Sequence, residues 1–191
     1  MKKQIICLSI ILIAGLGVSA QTTDKTVESI RVRYTEIAEK ARLCETDDEQ
    51  GEYGSIFMNT LTINSRNHQW RAVGIYGQTY KFFYKGGDTE AHLYPDQLVF
   101  VVNEKKISDH NYREEYLFSD TGALLFYFYT SDFKLSDRDE IRVYFSGQKP
   151  IRVAKDQKTH DRMTKADLIT IKRLIAVSDT LKQIFKQSIA L

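Results

Sequence analysis

Residues 113–130, REEYLFSDTGALLFYFYT, decide the fold. The second half, Leu124 to Tyr129, is wholly aliphatic or aromatic. Leu124, Phe126 and Phe128 alternate with Leu125, Tyr127 and Tyr129, so both faces of an extended segment are apolar. A strand of that kind is covered on both sides and reads as central. In the first half, Arg113, Glu115 and Leu117 share one face, opposite Tyr116 and Phe118. That pattern reads as a strand with one solvated face, lying towards an edge. Ser119-Asp120-Thr121-Gly122 is a turn signal. The stretch is then a hairpin stepping from the periphery of a sheet to its middle.

The same grammar extends outward. From Ser55 to Ala154, β-branched and aromatic residues alternate with polar ones, which is strand patterning. Strands are expected near 55–64, 69–76, 78–85, 90–94, 98–104, 111–118, 123–130, 141–145 and 150–154. The links are short, so neighbours should pair antiparallel. On the amino-terminal side, Val27, Ile30, Tyr34, Ile37, Ala41 and Cys44 recur at spacings of three and four, a helix stripe, with Thr22, Thr23 and Asp24 as N-cap candidates. On the carboxyl side, Leu168, Ile171, Leu174, Ile175, Leu181 and Phe185 form a second stripe. Thr164 with Asp167 resembles a capping pair. The expected fold is α+β: an antiparallel, meander-like sheet flanked by amino-terminal and carboxyl-terminal helices.

The first 20 residues, MKKQIICLSIILIAGLGVSA, combine two lysines, an apolar run and Val18-Ser19-Ala20. These are the three parts of a secretory signal peptide. The run is short for a transmembrane helix; an uncleaved anchor is the competing reading. Residues 1–20 are therefore expected to leave, and residues 21–191 to form a single domain, exported to the periplasm or beyond. Loss of Lys2 and Lys3 reduces the 27 basic residues to 25, against 25 acidic. A chain with no net charge offers no electrostatic footprint for nucleic acid. Only Cys44 survives cleavage, so no intrachain disulfide is expected even in an oxidising compartment.

Catalytic motifs are scarce. Cys44 ends a helix beside Glu45, Asp47 and Asp48, and both features raise a thiol pKa; it reads as a packing residue. Asp88, Glu90 and His92 would share one face of an extended segment, yet the plainer reading is a solvated strand after a Gly-Gly turn. His68, His110 and His160 are scattered. ETDDEQGE, residues 45–52, misses the spacing of a calcium loop. No G-x-S-x-G or phosphate-cradling glycine loop occurs. No cofactor and no metal are expected, and the chain does not read as an enzyme.

Residues EEYLFSDTGALLF and IRVYFSGQKPIRV align without a gap at an offset of 27, pairing Phe118 with Phe145 and Leu124 with Ile151. AHLYPDQLVFV is a weaker third copy. The echo is either a true repeat or ordinary hairpin grammar. With Arg142, Tyr144, Phe145, Gly147, Ile151 and Arg152, these hairpins resemble a loose group of small secreted proteins of Gram-negative bacteria without established function, and, more weakly, MORN-like repeats. The resemblance implies secretion and an antiparallel sheet, and carries over no site residues.

The remaining signal is aromatic. Tyr76, Tyr80, Phe82 and Tyr84 fall on one face, with Trp70 nearby. Buried, the row is core; exposed, it stacks on sugar rings or on a protein partner. Trp70, Tyr76, Tyr80 and Tyr84 are thus the candidate ligand-binding residues. The expected function is a non-catalytic binding or interaction module with a protein or glycan partner, a glycan-binding module being the alternative and an enzyme with an unrecognised site the third.

Overall fold

The structure, a computed structural model, describes residues 6–46, 56–87, 90, 93–133 and 139–190. Helix α1 (Ile6–Thr46) precedes the strands β1 (Phe57–Ile63), β2 (Gln69–Trp70), β3 (Gly74–Gly86), β4 (Pro95–Ile107), β5 (His110–Phe118), β6 (Leu124–Ser131), β7 (Asp139–Ser146), β8 (Lys149–Lys155) and β9 (Lys158–His160), and helix α2 (Lys165–Ile189) follows. The sheet runs β1-β3-β4-β5-β6-β7-β8-β9, with β2 beside β3. Every pairing is antiparallel. The expected α+β meander with a helix at each end is what the chain builds.

Each helix covers one face. Val27, Ile30, Ile37 and Ala41 of α1 pack on Phe83, Phe100, Leu117 and Phe126. Tyr34 completes that stripe with its ring 4.8 Å from Phe126. Ile171, Leu174, Leu181 and Phe185 of α2 pack on Phe82, Val101, Tyr116 and Tyr127. A buried apolar side chain contributes about 1.5–3 kcal/mol, so neither helix is dispensable. Thr164 and Asp167 form the reciprocal capping box at the start of α2. Leu168, expected on the packed stripe, is instead exposed, and Ser178 is buried there, donating to Ile175 O at 2.8 Å.

Several expectations are corrected. Thr22, Thr23 and Asp24 lie inside α1 and do not start it. The segment 69–76 is not one strand: β2 ends at Trp70, and Gly74, at a φ of 77°, opens β3. The strand expected at 90–94 falls largely outside the described residues. β9 had no visible signal. Most consequential is β5, which is not near an edge: it lies between β4 and β6, fourth in the order that begins with β1. Glu115 is buried there at 4% exposure.

Three return strands carry an extra residue. The register of β4 skips at Val99, that of β6 at Leu125 and that of β8 at Ile151. Each falls 26 positions after the last, and all three lie on the α1 side. The sequence echo is thus a recurring bulged hairpin, set by the return strand and not by the gapless offset of 27. A bulge also breaks strict alternation. Leu124 consequently joins the α2 side with Tyr127, while Leu125 and Phe126 both serve the α1 side.

Both helices cross the same end of the sheet. Arg33 of α1 donates to Phe118 O and to Asp120, and Lys182 of α2 donates to Gly122 O, all at the β5–β6 turn. The β4–β5 turn and the loop before β2 lie at the opposite end.

Candidate functional site

The open end presents two different surfaces. On the α2 side, direct register aligns Leu61, Tyr80, Asn103, Glu114, Tyr129 and Ile141 across six strands. The next row outward holds Ile63, Gln78, Lys105, Tyr112 and Ser131. Trp70 pairs with Gly74 and so falls on this same face, where its ring stacks on Tyr76 at 4.2 Å.

A directional hydrogen-bond chain links these residues. The Tyr76 hydroxyl donates to Gln78 Oε1 at 2.5 Å. Gln78 Nε2 donates to the Tyr80 oxygen at 2.6 Å and to Asn103 Oδ1 at 2.9 Å. Asn103 Nδ2 donates to Glu114 Oε2 at 2.7 Å, and Tyr127 donates to Glu114 Oε1 at 3.1 Å. Gln78 and Asn103 are buried, and their amides are satisfied by this chain. The Tyr80 hydroxyl accepts from Gln78, so its own proton remains to donate. Burial, then the charge of Glu114, pushes the Tyr80, Tyr116 and Tyr127 hydroxyls above the ordinary tyrosine range. All three stay protonated at neutral pH. Lys105 lies 5.3 Å from the Tyr112 ring centre, an ordinary cation–π distance.

Of the four residues singled out in the sequence, Trp70, Tyr76 and Tyr80 are brought together. Trp70 is 45% exposed. Tyr84 is separated from them: its ring packs 5.1 Å from Phe185 beneath α2, and its hydroxyl donates to Asn59 at 3.0 Å. Phe82 is core. Sequence reading missed Gln78, Asn103 and Glu114. Their only signal was a glutamine between two tyrosines of one strand face.

On the α1 side, a polar trough of about 720 Å³ is lined by Thr62, Thr79, Glu104, Lys106, Arg113 and Thr130, among others. Its Glu104 and Arg113 are held in an ion-pair network. Arg113 bridges Glu104 at 2.5 Å and Glu115 at 2.6 Å, and Lys81 bridges Glu45 at 2.8 Å and Glu104 at 3.1 Å. Tyr34 of α1 donates to Glu115 at 2.5 Å. This network ties α1 to the sheet, so we place the candidate site on the other face.

Cys44 donates to Ile56 O at 3.3 Å, and burial, with Glu45 adding to it, pushes its thiol up. That is the reverse of what an attacking thiolate needs. Among the described residues no group of three or more His, Cys, Asp or Glu side chains is placed to hold a metal ion. Asp88, His92 and most of residues 45–52 lie outside the described residues. No described helix is long and apolar enough to cross a membrane. No family model, curated protein or solved structure matches the chain.

Proposed function

We propose that this protein is an exported, non-catalytic binding module, and that the open end of the α2-side face is its ligand surface. One observation carries the reading. α2 buries the inner part of this face, while Trp70, Leu61, Ile63 and Val73 are exposed at its open corner and Tyr76 and Tyr80 are half-buried there, over the buried amides of Gln78 and Asn103. A contiguous apolar and aromatic patch on a soluble domain is commonly a contact surface. The hydrogen-bond chain fixes the rings in advance, which lowers the ordering cost of binding. The non-catalytic part is supported by the one carboxylate of this hydrogen-bonded set, Glu114, whose two oxygens each already accept a hydrogen bond. Two-carboxylate hydrolysis needs a second acid facing it. Export rests on residues 1–20.

A photo-cross-linking amino acid at Val73 or Ile107, on the open end, should yield adducts in the cell compartment that holds the protein. The same group at Lys172, on the exposed side of α2, should not. Equal adducts from both places, or adducts from Lys172 alone, would refute the assignment of the face.

A further inference from the structure

We infer that this chain forms a two-fold dimer in which β1 pairs antiparallel with β1 of a second copy, continuing the sheet across the joint. The two edges of the sheet are built differently. One ends on β9, only three residues long, and β8 and β9 present Lys149, Pro150, Lys155 and Lys158 there. A short last strand, lysines and a proline are ordinary defences of an edge against a further strand. β1 has none of them. It runs for seven residues as FMNTLTI, without a charge, a proline or a glycine. Among the described residues it pairs with β3 on one side and with no strand on the other. Alternate residues of such a strand direct their N–H and C=O groups to the empty side, and Thr60, Leu61, Thr62 and Ile63 are exposed. A long edge without protection is a template for another chain.

The symmetry of the strand selects a second copy as that chain. Phe57, Asn59, Leu61 and Ile63 lie on the α2 side, with Tyr80 and Tyr84, and Met58, Thr60 and Thr62 on the α1 side. Antiparallel neighbours that face each other share a side of the sheet. Full overlap about an axis at Thr60 therefore sets Phe57 against the partner's Ile63, Met58 against the partner's Thr62, and Asn59 against the partner's Leu61. Thr60 meets the partner's Thr60, a favourable cross-strand pair. The Asn59 amide is already engaged, accepting from the Tyr84 hydroxyl at 3.0 Å and donating to Ser188 Oγ at 3.5 Å, so it needs nothing from the leucine opposite. No like charges meet, because β1 has none, and it carries no charge by which to select a foreign strand. Pairing β1 with β9 of the next copy would desolvate lysine and run on as an open filament, whereas the pairing of like edges closes at two. The contact follows the backbone edge and takes up no part of the α2-side face, so it is independent of the ligand surface assigned above.

Sedimentation equilibrium of the purified protein across a wide range of concentration tests the inference. A reversible monomer–dimer equilibrium is expected, with no larger species. Thr60→Lys sets two like charges face to face on the axis and should weaken the dimer about tenfold. Thr60 is exposed in the single chain, so circular dichroism of that variant should be unchanged. An equal amount of Thr60→Glu protein should restore a mixed dimer. Thr159→Lys, on exposed β9, should leave the equilibrium as it was. In a Cys44→Ala background, Thr60→Cys should be joined into dimers by a short bifunctional maleimide and Thr159→Cys should not, which decides the matter even if Thr60→Lys fails to fold. A monomer at every concentration, a dimer as strong in Thr60→Lys as in the wild type, or an open-ended series of species would overturn the inference. Capture of a different protein by Thr60→Cys in the cell compartment, with the purified chain monomeric, would give the edge to a foreign strand and overturn the dimer.

Discussion

Replacing Glu115 by alanine should destabilise the domain far more than its position in a charged, alternating strand suggests. Glu115 is 4% exposed and holds two partners: the Tyr34 hydroxyl at 2.5 Å, from α1, and Arg113 Nε at 2.6 Å. Breaking a buried ion pair by removing one member costs about 3–5 kcal/mol, chiefly because the other member is stranded. Arg113 is not wholly stranded, since its side chain is 40% exposed and keeps Glu104; its share is therefore reduced by solvent. Tyr34 is half-buried between Phe100 and Phe126, and its hydroxyl donates to Glu115. We expect a loss of about 3 kcal/mol, combining one charge-assisted hydrogen bond at full value with a discounted second. For a domain of this length that corresponds to a fall of about 6–12 °C in melting temperature. Urea denaturation followed by circular dichroism measures it. The double variant Glu115→Ala with Tyr34→Phe should cost about 1 kcal/mol less than the sum of the single variants, because the orphaned hydroxyl is gone. A loss below about 0.5 kcal/mol, typical of a surface site, would mean that α1 does not lie over β5, and the two-sided arrangement would fall.

Three further outcomes follow. Phe126→Asp and Tyr127→Asp, at 3% and 4% exposure on opposite faces of β6, should each unfold the domain by burying an unpaired charge; a folded Tyr127→Asp protein would show that α2 does not cover its face. Stability should hold up to about pH 10, where unfolded tyrosine begins to ionise, and fall above it. The fold keeps the Tyr34, Tyr116 and Tyr127 hydroxyls protonated while the unfolded chain releases them. Tyr127→Phe should flatten that alkaline fall by about 1 kcal/mol per pH unit, and an unchanged slope in urea titrations would contradict its burial. Ala20→Arg should block processing of the amino terminus; mass spectrometry of exported wild-type protein that still begins at Met1 would sink the cleavage reading.

The sequence made β6 legible because burial on both faces leaves a run with no charge in it, and that can be seen in six consecutive letters. α1 was legible for a similar reason: its stripe from Val27 to Cys44 repeats on one helical face. β5 misled because a charged residue in an alternating strand normally faces water. Glu115 escapes that rule through Tyr34, 81 positions earlier in the chain, and no local pattern can reveal so distant a partner. The bulge at Leu125 was hidden for another reason. Leu124 and Leu125 are equally apolar, so nothing in composition shows which of them leaves the alternation. The candidate site was half visible. Trp70, Tyr76 and Tyr80 stood out as aromatics, whereas Gln78, Asn103 and Glu114 lie on three strands and meet only once register is fixed.

Oxidative footprinting inside the cell compartment that holds the protein tests the central claim most directly, namely that the open end of the α2-side face is where the ligand sits. Hydroxyl radicals should modify Trp70, Tyr76 and Tyr80 in the purified protein. Tyr94, 79% exposed at the other end of the sheet, provides an internal standard. In the compartment, oxidation at Trp70, Tyr76 and Tyr80 should drop severalfold relative to Tyr94. Equal oxidation of all four residues in both settings would contradict the claim.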